Sequence, residues 1–184
     1  MRKLPTYIEL EDYKKLIKAT KQIKFKIAFM FGFESGLRLS EVVGLEKGER
    51  IIKPIHADRI NFKDRKMMIE SGKGGVDRVV PLPKGFKESH IKYLPLNKTY
   101  KNVASARRAI QKAFKGACKR ANLLEKKPGL HFHSLRHGFA SRLSGKGMPI
   151  TFLRDLLGHS NISTTNIYSH TNPKERLEKY EELF

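Results

Sequence analysis

Residues 131–170 read HFHSLRHGFASRLSGKGMPITFLRDLLGHSNISTTNIYSH, and they carry more information than any other part of the chain. Apolar residues recur at helical spacing over 134–144 and again over 151–157. Pro149 precedes the second run, where a missing backbone N–H does no harm, and Gly158 directly follows it. The pattern therefore predicts two short helices joined by a tight connection.

Helical periodicity also occupies most of the chain outside this stretch. The further predicted helices cover residues 9–20, 23–35, 41–45, 103–121 and 173–183. Gly36 should end the second helix of the chain, and Ser40 is the expected N-cap of the short third one.

Between residues 55 and 82 the pattern changes to short alternating runs. The breaks fall at Lys63 and Asp64 and at a cluster of glycines over 72–75, which predicts a three-stranded antiparallel meander. Pro81 and Pro83 should close it. The predicted fold class is therefore α+β, a mostly helical domain with one small three-stranded antiparallel sheet.

The chain is strongly basic. Its 184 residues include 38 Lys and Arg against 18 Asp and Glu, a formal net charge of +20. That excess favours nucleic acid as a partner over an acidic membrane surface, because no basic amphipathic helix dominates. Cys118 is the single cysteine, so no intrachain disulfide can form. With no transmembrane-length apolar run and no signal-peptide pattern, we expect a cytoplasmic, nucleoid-associated protein without a membrane partner.

Two imidazoles and a guanidinium lie just upstream of a tyrosine, namely His133, Arg136, His159 and Tyr168. Cleavage of a phosphodiester passes through a phosphorus with extra negative charge on its equatorial oxygens, which needs a preorganised cation. The planar fork of arginine suits that task, because it donates two parallel charge-assisted hydrogen bonds. These residue types are therefore typical of phosphodiester cleavage with a protein nucleophile.

A metal-dependent site fits the sequence less well. The acidic residues are scattered, and no pair has an obvious metal-ligand spacing. His131, His133 and His137 are close in sequence, but no acid follows as in H-E-x-x-H and no cysteine is near. We therefore expect no metal and no other cofactor.

Four segments together resemble the tyrosine recombinases, also called phage-type integrases, and particularly their Xer-like members. The segments are ESGLRLSEVVGL at 34–45, SGKGGVDRVVPLP at 71–83, HSLRHGFAS at 133–141 and LLGHSNISTTNIYSH at 156–170. They occur in the order typical of the family and span most of the chain, which makes the resemblance much more specific than any one motif.

The resemblance implies phosphate-binding roles for three residues. Arg38 and Arg136 should bind the non-bridging oxygens of a scissile phosphate, and His159 should hydrogen-bond the same group. Glu41, one helical turn after Arg38, should orient that arginine. Taken singly, Arg38 would be read as a surface arginine and His159 as a residue after a helix stop.

The resemblance also implies the nucleophile and the proton donors. Tyr168 should attack the phosphorus, and it needs cationic neighbours or a base because a tyrosine hydroxyl has a pKa near 10. His133 should assist it in proton transfer, and Lys73 should protonate the leaving 5′-oxygen. Taken singly, Tyr168 would be read as a packing residue and Lys73 as part of a flexible basic turn.

The implied reaction is a transesterification on double-stranded DNA. It would leave a 3′-phosphotyrosine and a free 5′-hydroxyl, conserve the bond energy without ATP, and exchange strands through a Holliday junction. We expect a tetramer on DNA, a chain that can be monomeric when free, and no small-molecule substrate. Two rival functions stay open: DNA relaxation by a type IB topoisomerase, and DNA binding without turnover.

The expected domain organisation has two parts. Residues 1–170 should form the catalytic domain, and 171–184 a helical tail that either exchanges between protomers or packs onto its own domain. The first arginine motif lies near residue 35, so we expect the N-terminal clamp domain of the family to be absent.

Overall fold

The computed structural model describes residues 6–70 and 77–159. Seven α-helices lie in these ranges: α1 Leu10–Ala19, α2 Ile23–Glu34, α3 Leu39–Val43, α4 Val103–Arg120, α5 Leu123–Lys126, α6 His133–Gly145 and α7 Ile150–Leu157. Five strands accompany them: β1 Leu45–Lys47, β2 Arg50–Ile52, β3 Ile60–Asn61, β4 Lys66–Ile69 and β5 Arg78–Pro81. Two 3₁₀ helices, Ala57–Arg59 and Glu88–Tyr93, complete the elements. The α+β prediction is confirmed.

The strands form two small antiparallel sheets. The predicted meander is present as β3-β4-β5, with Ile60 opposite Met67 and Met68 opposite Val79. A second sheet, the hairpin β1-β2, was not predicted. Its strands have three residues each, too few for an alternating pattern to emerge from the sequence.

Helix α2 is the centre of the core. Residues 27–33 of this helix are all buried, so it is surrounded on every side by other elements. It packs against α6, where an added Cβ on Gly32 would lie only 3.0 Å from the Leu135 Cδ1 atom. The end of α2 is thereby held next to the start of α6, and the two arginine-bearing segments meet there.

Helix α7 is attached to α6 by a small separate cluster of apolar side chains. Phe139 and Ala140 of α6 pack with Leu153 and Leu157 of α7, and all four are buried. Burying a side chain such as leucine contributes roughly 1.5–3 kcal/mol. This cluster therefore holds α7 beside the middle of α6.

The start of α3 differs from the prediction. Ser40 was expected to be the N-cap, but it lies inside the helix, and Arg38 is the N-cap residue. The cap is supplied from the third helical position, because a carboxylate oxygen of Glu41 accepts the backbone N–H of Arg38 over 2.7 Å. The same acidic side chain thus begins the helix and faces the guanidinium of Arg38.

Candidate active site

Three arginine side chains from three parts of the chain meet around one carboxylate. We call Arg38, Glu41, Arg78 and Arg136 the arginine–glutamate cluster. Glu41 is 4% exposed, and its Oε1 atom accepts from Arg38 Nη1 at 3.1 Å and from Arg78 Nη1 at 3.0 Å. Its Oε2 atom accepts from Arg78 Nη2 at 3.0 Å and lies 3.8 Å from Arg136 Nη1. One buried carboxylate therefore organises three guanidinium groups.

Arg136 is the deepest member of the cluster, at 1% exposed. It lies in the first turn of α6 and donates from Nη1 to the Gly36 carbonyl at 2.8 Å and from Nη2 to the Leu157 carbonyl at 2.6 Å. Gly36 has a positive φ of 69°, and an added Cβ would lie 2.5 Å from the Phe139 ring. Glycine at that position lets the chain turn so that its carbonyl can face the guanidinium.

Arg38 is the most accessible member. Its side chain is 32% exposed, and among the described residues it makes, beyond Glu41, only a long hydrogen bond from Nη2 to the Gly158 carbonyl, at 3.4 Å. Because these contacts are few and the side chain reaches solvent, its guanidinium can turn towards an incoming anion without breaking the rest of the cluster.

Arg78 was not among the site residues predicted from the sequence. It begins β5, is 8% exposed, and pairs with Glu41 through both terminal nitrogens. The sequence did contain a signal, because Arg78 is in phase with the buried Val80 of the same strand and with Leu82, which directly follows the strand. A charged side chain in phase with core positions needs a buried partner of opposite charge.

The last turn of α7 receives one hydrogen bond from each arginine. Arg78 Nε donates to Leu156 at 2.8 Å, Arg136 to Leu157 and Arg38 to Gly158, which are three consecutive carbonyls. These groups have no partner within a helix, and the C-terminus of a helix carries partial negative charge. The three cations thus satisfy and electrostatically complement the end of α7.

Gly158 ends α7 in the left-handed region, with φ 62° and ψ 48°. The backbone N–H groups of Gly158 and His159 donate to Asp155 and Arg154, each at 3.1 Å, the pattern of a Schellman motif. The predicted helix stop at Gly158 is confirmed. It directs the chain so that His159 follows directly after the carbonyls held by the arginines.

The electrostatics of the cluster favour an anion. Burial alone would raise the pKa of the Glu41 carboxyl, but the hydrogen bonds from Arg78 and the charges of Arg78 and Arg136 outweigh it, so the pKa is lowered. Glu41 is therefore ionised near neutral pH. Three guanidinium groups still face a single carboxylate, which leaves an excess of positive charge.

Two half-buried histidines lie within the field of the cluster. Burial, followed by the charges of neighbours that include Arg136 and Arg38, lowers the pKa of His133 to about 3. Burial and the same two arginines lower the pKa of His159 to about 4. Both imidazoles are therefore neutral at pH 7 in the absence of an added anion, and each can accept a proton or a hydrogen bond.

A third histidine adjoins His133. The ring of His137 is edge-on to that of His133, with centroids 4.7 Å apart. Burial and the charges of His131 and Arg136 lower the pKa of His137 to about 4. Within residues 6–70 and 77–159, no three His, Cys, Asp or Glu side chains are grouped so as to hold a metal ion. The expected absence of a cofactor stays a prediction.

The structure brings together Arg38, Glu41, His133, Arg136 and His159, all predicted from the sequence. The other two predicted residues, Lys73 and Tyr168, and the predicted tail over 171–184 lie outside the described residues. In the part of the chain that the structure describes, no helix is both long and apolar enough to cross a membrane.

Comparison with known proteins assigns the chain to a class. Residues 6–175 match the phage integrase family, which is nearly the whole sequence. The chain therefore belongs to the phage integrase family, and the resemblance inferred from the four segments is confirmed.

Two curated relatives are tyrosine recombinases. A "Tyrosine recombinase" of Thermosipho africanus is 30% identical over 198 residues, a match that covers 99% of this chain and 63% of the relative. "Tyrosine recombinase XerA" of Pyrococcus horikoshii is 28% identical and covers 98% of this chain and 62% of that protein. The chain thus spans a little under two thirds of the length of these relatives.

A solved structure agrees on the fold. The crystal structure of the XerH site-specific recombinase bound to difH substrate, in a pre-cleavage complex, has a TM-score of 0.70 at 23% identity. It matches 98% of this chain and 54% of the XerH chain. The described domain therefore has the fold of the corresponding part of XerH.

Proposed function

We propose that this chain cleaves and rejoins strands of double-stranded DNA without a metal ion, through a 3′-phosphotyrosine at Tyr168, as a site-specific recombinase. The observation that carries the proposal is the arginine–glutamate cluster, whose buried carboxylate gathers three arginines beside two neutral histidines. This arrangement suits a phosphate whose charge increases in the transition state.

The arginines would be positioned at the phosphate site before the reaction begins. The accessible guanidinium of Arg38 and the cationic field of Arg136 would stabilise the equatorial oxygens of the phosphate. Glu41 keeps Arg38 close to the site, and two hydrogen bonds to backbone carbonyls hold Arg136 in place beforehand. Such preorganised donors contribute typically 10²–10³-fold each to the rate, which is about 3–4 kcal/mol. Lowering the reaction barrier in this way needs no bound metal.

The histidines would handle protons and orientation. His133 would take the proton of Tyr168 in the cleavage step and return it in the rejoining step, while His159 would hydrogen-bond the phosphate. The pKa of His133 is low in the free site, but the negative charge of a bound phosphate would raise it towards neutrality. Lys73 would donate the proton to the leaving 5′-oxygen.

DNA is the proposed partner because of the positive charge of the chain and its similarity to a DNA-bound recombinase. The formal net charge of +20 suits a polyanion, and the XerH relative was solved on its difH substrate. The relatives are named recombinases, which favours strand exchange between duplexes over simple relaxation. We propose a tetramer on DNA, with the tail over 171–184 either exchanged between protomers or packed in cis, and a nucleoid location.

A covalent-trapping experiment tests the proposal. The protein and its Tyr168→Phe variant are incubated with nicked suicide duplexes carrying candidate sites, in EDTA, and separated on a denaturing gel. We expect a protein–DNA adduct that survives detergent and that the variant does not form. DNA retardation without any adduct would replace the proposal with the rival function, DNA binding without turnover.

A further inference from the structure

Arg78 contacts both Glu41 and the last turn of α7, and its own side chain is not open to solvent. Its side chain is buried, whereas the Arg38 side chain is about one third exposed. A bound phosphate would therefore meet Arg38 more readily than Arg78. The contribution of Arg78 has to be sought in the groups that it holds.

The contacts of Arg78 fix its orientation completely. Nη1 and Nη2 donate to the two carboxylate oxygens of Glu41, each at 3.0 Å, and Nε donates to the Leu156 carbonyl at 2.8 Å. A guanidinium is planar, so three hydrogen bonds from its three nitrogens leave little freedom. The side chain thus connects the first turn of α3 rigidly to the last turn of α7.

The neighbouring glycine is shaped to fit this side chain. An added Cβ on Gly158 would lie 2.9 Å from Arg78 Nη1 and 3.1 Å from its Cδ. Gly158 also carries the carbonyl that accepts from Arg38, and His159 follows it. Close packing of Arg78 on this turn therefore sets the position of the backbone from which His159 projects.

We propose that Arg78 is a positioning residue for the reaction described above. It holds Glu41 and the end of α7 as one unit, so that His159 stays beside Arg38 and Arg136. The inference rests on the proposed function only for its catalytic consequence, because the contact with α7 can be measured in the absence of DNA.

A second consequence concerns the availability of Arg38. Since Arg78 engages both oxygens of Glu41, Arg38 makes one side-chain hydrogen bond to that carboxylate, at 3.1 Å. Without Arg78, Oε1 of Glu41 would lose its competing donor while Oε2 still accepts the backbone N–H of Arg38, so the carboxylate would bind the Arg38 guanidinium more tightly and hold it back from the phosphate. Arg78 therefore keeps Arg38 ready to leave Glu41.

The first experiment measures adduct formation in a single turnover at saturating DNA. We expect Arg78→Met to slow it about 10²-fold, in line with the cost of misplacing reacting groups. Arg78→Lys keeps the charge but loses the fork, so it should still be clearly slower than the parent protein, while affinity for intact DNA changes little. Arg65→Met is the matched control, because Arg65 also donates to backbone carbonyls, those of Pro83 and Phe86, away from the cluster.

A double-mutant cycle separates positioning from a general structural effect. If Arg78 acts through Glu41, the variant Arg78→Met/Glu41→Gln should be no slower than the slower single variant. Losses that multiply would overturn the proposal, because Arg78 would then act independently of that carboxylate. If Arg78→Met does not fold, Arg78→Lys takes its place in the cycle.

Amide hydrogen exchange at Gly158 and His159 provides a readout without catalysis. We expect exchange to become at least tenfold faster in the Arg78 variants and to stay unchanged in Arg65→Met. A parent protein that forms no adduct would overturn the proposed function, while the exchange data would still decide whether Arg78 positions α7. Unchanged exchange in a folded Arg78 variant would overturn the positioning role.

Discussion

Arg136 donates a hydrogen bond to the carbonyl oxygen of Leu157 over 2.6 Å, and this contact ties the first turn of α6 to the last turn of α7. The same guanidinium also donates to Gly36, between α2 and α3. One buried side chain thus joins the two segments that carry Arg38 and His159. Structure and proposed catalysis depend on the same contacts here.

Replacement of Arg136 should therefore affect both stability and activity. Arg136→Ala would remove two hydrogen bonds and leave a buried cavity, so we expect a loss of about 3–5 kcal/mol in the free energy of unfolding. Arg136→Lys retains the charge but has one terminal nitrogen in place of the separate Nη1 and Nη2 donors that reach Gly36 and Leu157. It should therefore fold more stably than the alanine variant and still form adduct at least about 10²-fold more slowly. Urea unfolding and covalent trapping measure the two effects. A lysine variant with parental activity would contradict the assigned role of the fork.

Two left-handed glycines form a matched pair for testing the fit of α7 against Arg78. Gly158→Ala should cost roughly 1–2 kcal/mol through the positive φ, and more through the clash with the Arg78 guanidinium. Gly48 has a similar φ of 55°, but a Cβ there would meet nothing within 4 Å. Gly48→Ala should therefore show the backbone cost alone, with normal adduct formation. Equal losses of stability in the two variants would mean that the contact with Arg78 is unimportant.

Much of the fold could be predicted because its elements carry local signals. The apolar run of α2 ends at Gly36, and the apolar stripe of α7 ends at Gly158, so both helices were placed almost to the residue. The hairpin β1-β2 lacked such a signal because its strands are so short. The predicted N-cap of α3 was wrong because the side chain of Glu41, and not that of Ser40, accepts the free backbone N–H at the start of the helix.

The candidate site was predicted only in part, for a physical reason. Arg38, His133 and Arg136 stand in recognisable local motifs, whereas the role of Arg78 depends on a carboxylate 37 positions away in the sequence. The hydrogen bonds to the carbonyls of Leu156 and Leu157 are equally hard to predict, because every residue has a backbone carbonyl and the residue type does not show which one is an acceptor. Contacts of this kind become visible only when the chain is folded.

The lowered pKa values of His133 and His159 predict how the stability of the protein depends on pH. The pKa of His133 falls to about 3 and that of His159 to about 4 in the folded chain, against an ordinary value of 6.5. Between the folded and the unfolded pKa values, the unfolded chain binds more protons than the folded chain. The contribution of the two neutral imidazoles to the free energy of unfolding should therefore be complete above pH 6.5 and decrease as the pH falls towards 4. His133→Asn should flatten this decrease in urea titrations, whereas His56→Asn, on an exposed site, should not. An unchanged slope in His133→Asn would contradict the assigned burial of a neutral imidazole.

Binding of DNA should change the same two groups in the opposite direction. A phosphate placed among the arginines adds negative charge beside His133 and His159, which raises the pKa of each towards 6.5 or above. Imidazole resonances titrated by NMR, with and without an uncleavable duplex, measure the change, and Tyr168→Phe protein keeps the DNA intact. Identical titrations in the two states would place the phosphate somewhere other than the arginine–glutamate cluster.

Arg38 should separate catalysis from stability more cleanly than any other member of the cluster. Its side chain is partly exposed, its hydrogen bond to Gly158 is long, and Glu41 keeps its paired contacts with Arg78 when Arg38 is removed. Arg38→Ala should therefore cost no more than about 1 kcal/mol in the free energy of unfolding. Adduct formation should nevertheless fall about 10²–10³-fold, because a donor to the transition state is lost.

A duplex with a methylphosphonate at the cleavage position removes one non-bridging charge, and on this substrate the difference in rate between the parent and Arg38→Ala should shrink. Arg154→Ala serves as the control, because Arg154 is similarly exposed and, within residues 6–70 and 77–159, its side chain hydrogen-bonds only to its neighbour Asp155. A large loss of stability in Arg38→Ala, or an equal loss of activity on both substrates, would show that Arg38 supports the fold and does not contact the phosphate.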